Sequence, residues 1–238
     1  MRVILCKNYN ELSVNSAKIV ASQLMLKPNS VLGFATGSTP IGLYKELINM
    51  YNIGEIDFSQ SVGFNLDEYY TISPENPQSY HYFMKENLFK YVNIKKTFIP
   101  DGSAKNPEDE CRRYEETIEK YGGIDLQILG IGQNGHIGFN EPDTCLNTDT
   151  HLTNLTQSTI KANSRFFKNI DEVPKKAITM GISTILKSKR IMLLASGKNK
   201  HNVVKELLTK DINTNVPATM LKVHPDVVLI IDEEAFDG

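Results

Sequence analysis

The amino-acid sequence predicts an α/β fold: an open, mostly parallel sheet with helices on both faces, running through 1–238 as one domain. Three observations carry that expectation. Short runs rich in Val, Ile and Leu alternate with stretches of helical period. Most of those runs are apolar without interruption, the pattern of parallel strands covered on both sides. No repeat, low-complexity tract or Pro/Gly/Ser-rich linker divides the chain.

Taken in order, 1–5 is a weaker strand candidate and 9–27 a helix. A strand at 31–36 leads to a helix at 40–51. A strand at 62–66 leads to a helix at 78–92. After a weaker strand at 97–99 come a helix at 107–121 and a strand at 125–130. The polar stretch 152–174 shows no clear strand and reads as a lid segment. A strand at 191–195, a helix at 198–208 and a strand at 227–231 complete the series. Such βα units give a modified Rossmann-like sheet, whose ligands bind at the carboxyl ends of the strands.

Lysines and arginines number 26 against 28 acids, a net charge of −2 with histidine neutral. So balanced a chain lacks the broad positive field of a nucleic-acid binder. No apolar run approaches the roughly 20 residues of a membrane span. The opening Met-Arg-Val-Ile-Leu-Cys-Lys-Asn holds too short an apolar stretch for a secretory signal. Cys6, Cys111 and Cys145 are odd in number and scattered, which suits free thiols in a reducing, cytoplasmic setting.

The residues after each strand carry the chemistry. The first apolar strand ends in Thr36-Gly37-Ser38-Thr39-Pro40, where a helical pattern begins. Thr39 suits the N-cap and Pro40 the first helical position. Gly37 permits a tight turn, so N–H and hydroxyl donors gather as in a phosphate cradle. A plain capped turn is the competing reading. The Gly-Lys-Ser/Thr ending of a P-loop is absent, which argues against nucleoside triphosphate. The next strand runs into Asp67-Glu68-Tyr69-Tyr70. Successive side chains of an extended segment point opposite ways, so one acid is expected in the site and the other toward a loop or solvent.

The strand at 125–130 opens onto Gly130-Ile131-Gly132-Gln133-Asn134-Gly135-His136-Ile137-Gly138-Phe139-Asn140-Glu141-Pro142. Its glycines match GxGxxG, but Gly138 and Pro142 break any helix there. No acid ends a strand about 20 residues on, so the dinucleotide reading fails. His136 is suited to proton transfer near neutral pH, and Glu141 can fix its tautomer. No nucleophile motif stands beside it. None of the five histidines shows metal-ligand spacing, so neither metal nor cofactor is expected. Arg165 in the lid stretch and Lys200 after the strand at 191–195 become phosphate partners if the 37–39 loop holds a phosphate. Otherwise each is a solvated surface charge. His81, Tyr80, Tyr82 and Phe83 read as helix-packing residues, and His224 as part of a turn.

Together these blocks resemble the glucosamine-6-phosphate deaminases of the glucosamine/galactosamine-6-phosphate isomerase family. The matching segments are Ala-Thr-Gly-Ser-Thr-Pro at 35–40, Asn-Leu-Asp-Glu-Tyr at 65–69 and Cys-Arg-Arg-Tyr-Glu-Glu at 111–116. Gly-His-Ile-Gly-Phe-Asn-Glu-Pro at 135–142, Ala-Asn-Ser-Arg-Phe-Phe at 162–167 and Ser-Gly-Lys-Asn-Lys at 196–200 follow in the same order. The resemblance implies conversion of glucosamine 6-phosphate to fructose 6-phosphate and ammonia in amino-sugar catabolism. It makes Asp67 the base that removes the C2 proton. His136 would assist ring opening, with Glu141 orienting it. Gly37, Ser38, Thr39, Arg165 and Lys200 would hold the 6-phosphate. Many members carry Asp where this chain has Asn134, which keeps the hydrogen bonding but not the charge.

Allosteric members bind N-acetylglucosamine 6-phosphate at a subunit interface through basic residues just after the catalytic turn. Residues 147–153 here contain no Lys or Arg, and the sequence stops at Gly238 without the extension of longer regulated enzymes. The expectation is an enzyme without an effector site, a monomer or a homo-oligomer. Two rivals remain. A 6-phosphogluconolactonase would use His136 to activate water and would not need Asp67. A non-catalytic sugar-phosphate sensor would need a partner domain for which this α/β pattern leaves no room.

Overall fold

In a computed structural model, which describes all of 1–238 except Arg165, Phe166, Lys168 and Lys210 and leaves aside the side chain of Ala162, ten strands form two sheets among the described residues. Seven are wholly parallel: β1 (Arg2–Cys6), β2 (Val31–Phe34), β3 (Val62–Asn65), β5 (Lys96–Phe98), β6 (Leu126–Gly130), β9 (Arg190–Ala195) and β10 (Val227–Asp232). Their order is β1-β10-β9-β6-β2-β3-β5. The other three, β4 (Asp67–Tyr69), β7 (His151–Asn154) and β8 (Lys176–Thr179), pair antiparallel in the order β4-β8-β7.

The uninterrupted apolar runs are explained by two cores, one on each face. In β9, Ile191, Leu193 and Ala195 face one core, and Met192 and Leu194 face the other. The first core is closed by Tyr114 and Ile118 of α4 (Pro107–Lys120), Ile185 of α6 (Ile182–Leu186), Val203 and Val204 of α7 (His201–Leu207) and Ala235 of α8 (Glu233–Asp237). The second is closed by Leu12 and Val20 of α1 (Tyr9–Leu26), Leu43 and Leu47 of α2 (Ile41–Asn52) and Met84 of α3 (Tyr80–Asn87). Each fully buried aliphatic side chain contributes about 1.5–3 kcal/mol, so a polar residue on either strand face would be penalised. The small sheet has its own core, with Tyr69, Phe139 and Ala177 packed against Ile160 of α5 (Gln157–Asn163).

Several expectations are corrected. The 152–174 stretch is not strandless: it begins within β7 and carries α5. β7 is a polar His-Leu-Thr-Asn segment, mostly half-exposed, that exists because His151 registers with Thr179. That pairing is long-range and leaves no local pattern. The helix expected at 78–92 stops at Asn87, after which Leu88 leaves helical geometry at φ −147°. The one expected at 198–208 divides into a 3₁₀ turn, Lys198–Lys200, and α7. Thr39 does not cap α2: the N-cap is Pro40, with no side-chain cap bond. Among the described residues no helix is long and apolar enough to cross a membrane.

One junction places the site. β3 ends at Asn65, and the Leu66 N–H still bonds the Phe34 carbonyl of the main sheet at 2.9 Å. The Leu66 carbonyl instead accepts from Met180, also at 2.9 Å, as the chain crosses into the small sheet. Asp67 is the first residue past that crossing.

Candidate active site

A cavity of about 370 Å³ opens at the carboxyl ends of β2, β3 and β6. β2 leads on to β3 and β5 on one side, and β6 to β9 and β10 on the other. The strand order thus reverses between β2 and β6, the place where parallel sheets offer a ligand crevice. Thr36, Gly37, Ser38, Thr39, Asp67, Asn134, His136 and Lys200 all line it.

One end is a loop of donors. Gly37 takes φ +103°, a backbone region unfavourable for residues with a side chain, and so lets 36–39 turn back over β2. Tyr9 of α1 fastens this loop. Its hydroxyl lies 3.1 Å from the Ser38 carbonyl and 3.0 Å from that of Thr39, and accepts the Gly42 N–H at 2.7 Å. Lys200, also on the cavity lining, donates through Nζ to the Ile131 carbonyl at 2.7 Å, tying the 196–200 turn to the glycine-rich segment. That turn is held by Asp232, which accepts the Ser196 hydroxyl and the N–H groups of Gly197 (3.0 Å) and Ala235 (2.9 Å). Arg165 lies outside the described residues.

The acids follow just after β3. Asp67 is only 5% exposed, and its Oδ1 is buried without a hydrogen-bond partner. Burial first, then the neighbouring Glu68, holds its carboxyl well above the usual range. The two acids do diverge as extended geometry requires. Glu68, however, turns inward rather than to solvent and accepts the backbone N–H groups of Tyr69 (2.8 Å), Tyr80 (2.9 Å) and His81 (2.8 Å). Burial pushes it up to about 7 against the pull of those three bonds.

The glycine-rich segment brings Asn134, His136 and Glu141 together. His136 Nδ1 lies 3.3 Å from Glu141 Oε2, within ion-pair distance but off hydrogen-bond alignment. Asn134 Nδ2 donates to the same oxygen at 2.7 Å, and the Thr159 hydroxyl donates to Oε1. Burial works to raise the Glu141 carboxyl, but His136, Thr159 and Asn134 together hold it at about 2. Gly132 is required by this packing: a Cβ there would stand 2.3 Å from the His136 ring.

Sequence reasoning missed several contributors. Tyr80 reads as a packing residue, and its ring does stack on Phe139 at 6.0 Å, but it also lines the cavity beside Asp67. Ser158, Thr159 and Asn163 of α5 form the wall over Glu141 and Tyr69. Their signal was present: Thr156 three residues before Thr159 is a helix N-cap pattern, and its hydroxyl accepts the Thr159 N–H at 3.3 Å. Tyr9 left no signal. Among the described residues no three His, Cys, Asp or Glu side chains gather as a metal site.

Comparisons with known proteins agree on one family. The sequence pattern of the glucosamine-6-phosphate isomerases/6-phosphogluconolactonases matches 10–229. A glucosamine-6-phosphate deaminase of Halothermothrix orenii is 62% identical over 237 residues, covering 99% of this chain and 98% of its own. The structure of a monomeric glucosamine-6-phosphate deaminase superposes with TM-score 0.97 at 48% identity, over 99% of this chain and 98% of that one. A 6-phosphogluconolactonase from Thermotoga maritima shares the fold at TM-score 0.77 and 20% identity, covering 98% of this chain and 99% of that one. The chain belongs to the glucosamine-6-phosphate isomerase/6-phosphogluconolactonase family.

Proposed function

We propose that the protein converts glucosamine 6-phosphate and water to fructose 6-phosphate and ammonia. The observation that carries this reading is Asp67. A buried carboxyl with an unpartnered oxygen shares one cavity with the 36–39 donor loop and with His136, which Glu141 backs. The 36–39 loop and Lys200 take the 6-phosphate, with Arg165 as a further partner. Held by that end, the sugar presents C1 and C2 to the acids.

His136 carries a proton from O1 to the ring oxygen, which opens the pyranose to the aldehyde. Glu141 and Asn134 hold the imidazole while it does so. The C2–H bond is now acidic. Asp67 removes that proton to give an enolamine and returns a proton to C1. The product is an iminium at C2, to which water adds and from which ammonia leaves. Burial opposes ionisation of Asp67. The 2-ammonium of glucosamine 6-phosphate brings the opposite charge that ionises it. A lactone hydrolase would leave Asp67 without a task.

The enzyme works in the cytoplasm, as a monomer or a homo-oligomer, without an effector site. Support comes from the groove beside 147–153, lined by Glu108, Glu115, Glu116, Glu119 and Asp149 against Arg112 and Lys187. A dianionic effector is repelled there. His151 offers no cation, because burial lowers its pKa.

The test is incubation with glucosamine 6-phosphate, assaying ammonia and fructose 6-phosphate together, with Asp67→Asn alongside. Equimolar products from the wild type and loss of C2-proton exchange with solvent in the variant are expected. Wild-type exchange in Asp67→Asn would remove Asp67 from the base role.

A further inference from the structure

Glu68 stands against the cavity wall with no step of the proposed reaction assigned to it. It is 2% exposed, and both of its oxygens face backbone donors: Oε1 accepts from Tyr69 and Tyr80, and Oε2 from His81. These donors belong to two elements, β4, which carries Asp67, and the first turn of α3, which carries Tyr80. The start of α3 does not need an acid, since Ser79 already caps it, its hydroxyl accepting the Tyr82 N–H at 3.0 Å. The titratable groups on the elements packed around Glu68 are Asp67 and Tyr69 on its own strand, Tyr80 and His81 on α3, and Asp101 and Lys105 in the loop whose Gly102 lies against the Glu68 side chain. Opposite it in β8 is uncharged Ile178. Among the described residues no cationic side chain pairs with it.

A buried carboxylate without a counter-ion is a costly way to fasten a helix. Its charge acts on whatever ionises nearby. The carboxyl that feels it is Asp67, one position back along the strand. We propose that Glu68 is a positioning residue, which ties β4 to the first turn of α3, locks Tyr80 beside Asp67 and, whenever it is ionised, makes Asp67 a stronger base. A second anion in this water-poor place disfavours ionising Asp67, so the carboxylate, once formed, takes the C2 proton more readily. The inference rests on Asp67 being the base.

The experiment compares pH profiles of kcat/KM and kcat for the wild type, Glu68→Gln and Glu68→Asp, with thermal melts to establish folding. Glu68→Gln keeps the shape but removes the charge and turns an amide N–H₂ toward a backbone donor. Its acid limb should move to lower pH by roughly half a unit to one unit. Its plateau kcat should fall roughly tenfold, with KM little changed. Glu68→Asp keeps the charge but is one methylene too short to reach all three donors. It should hold the wild-type acid limb while losing kcat. An unmoved acid limb in Glu68→Gln, or wild-type kcat in Glu68→Asp, overturns the inference. If Glu68→Gln does not fold, the Asp variant alone decides. Failure of the underlying reading shows separately, as C2-proton exchange persisting in Asp67→Asn.

Discussion

Replacing Glu141 by Gln probes how the catalytic turn is held. The carboxylate is 8% exposed and meets His136, Asn134 and Thr159. Its pKa is lowered from 4.5 to about 2. At about 1.4 kcal/mol per pH unit, this corresponds to about 3 kcal/mol of folded-state preference for the anion. A depressed folded pKa stabilises fully above the unfolded value of about 4.5 and loses that stabilisation as pH falls toward about 2. The amide introduced by Glu141→Gln could still accept from Thr159, but it would lose the charge facing His136. It would also set one amide against another at Asn134. The expected loss at pH 7 is about 2–3 kcal/mol, a Tm lower by about 5–10 °C for a chain of this length. The assay is thermal or urea unfolding of both proteins in steps from pH 7 to pH 3. The gap should shrink to less than about half by pH 3, because between about 4.5 and about 2 the unfolded chain takes up the proton that the folded carboxylate still resists. A gap that is absent at pH 7, or the same size at both ends, would refute the reasoning.

The other substitutions act on binding and alignment. Lys200→Ala should raise KM for glucosamine 6-phosphate about tenfold or more, since a charged hydrogen bond is worth about 1.5–3 kcal/mol. Unphosphorylated glucosamine, measured by the same ammonia assay, should be indifferent to the change. Gly132→Ala forces the His136 ring aside by contact at 2.3 Å. A displacement near 1 Å costs on the order of 100-fold in kcat, so steady-state kinetics should show a kcat defect with KM nearly kept. Substrate titrations with and without N-acetylglucosamine 6-phosphate should give the same hyperbola. A sigmoid that the acetylated sugar abolishes would count against the acidic groove as a barrier to an effector.

The parallel strands were legible because burial on two faces writes a continuous apolar run, as in Ile191 through Ala195. The small sheet was not. Asp67-Glu68-Tyr69 looks like a strand's polar exit, and only Thr179, 112 residues on, makes it a strand of its own. Asp67, Asn134, His136, Lys200 and the 37–39 loop, which line one cavity, and Glu141 beside His136 stood out as candidates because strand ends, glycines and charged residues coincide in sequence. Glu68 reads as a solvent- or loop-facing acid, yet its partners lie 12 and 13 residues downstream on α3. Tyr80 reaches the cavity, and Tyr9 the loop beside it, by packing geometry alone, and an aromatic ring in a helix carries no mark that separates wall from core.

The pairing of β1 with β10 bears on how the chain comes to be folded. Arg2 registers with Val228 and Cys6 with Asp232, so among the described residues β1 has its one main-sheet neighbour in a strand made 226 residues later. Until then, Val3, Ile4 and Leu5 wait without a ladder. Asp232, which holds the Ser196-Gly197 turn of the cavity, arrives with that same late strand. A chain stalled before β10 therefore lacks the β1–β10 ladder and the anchor of the 196–197 turn together, so ordering of that turn during synthesis reports on the docking of β10 rather than of the strands before it.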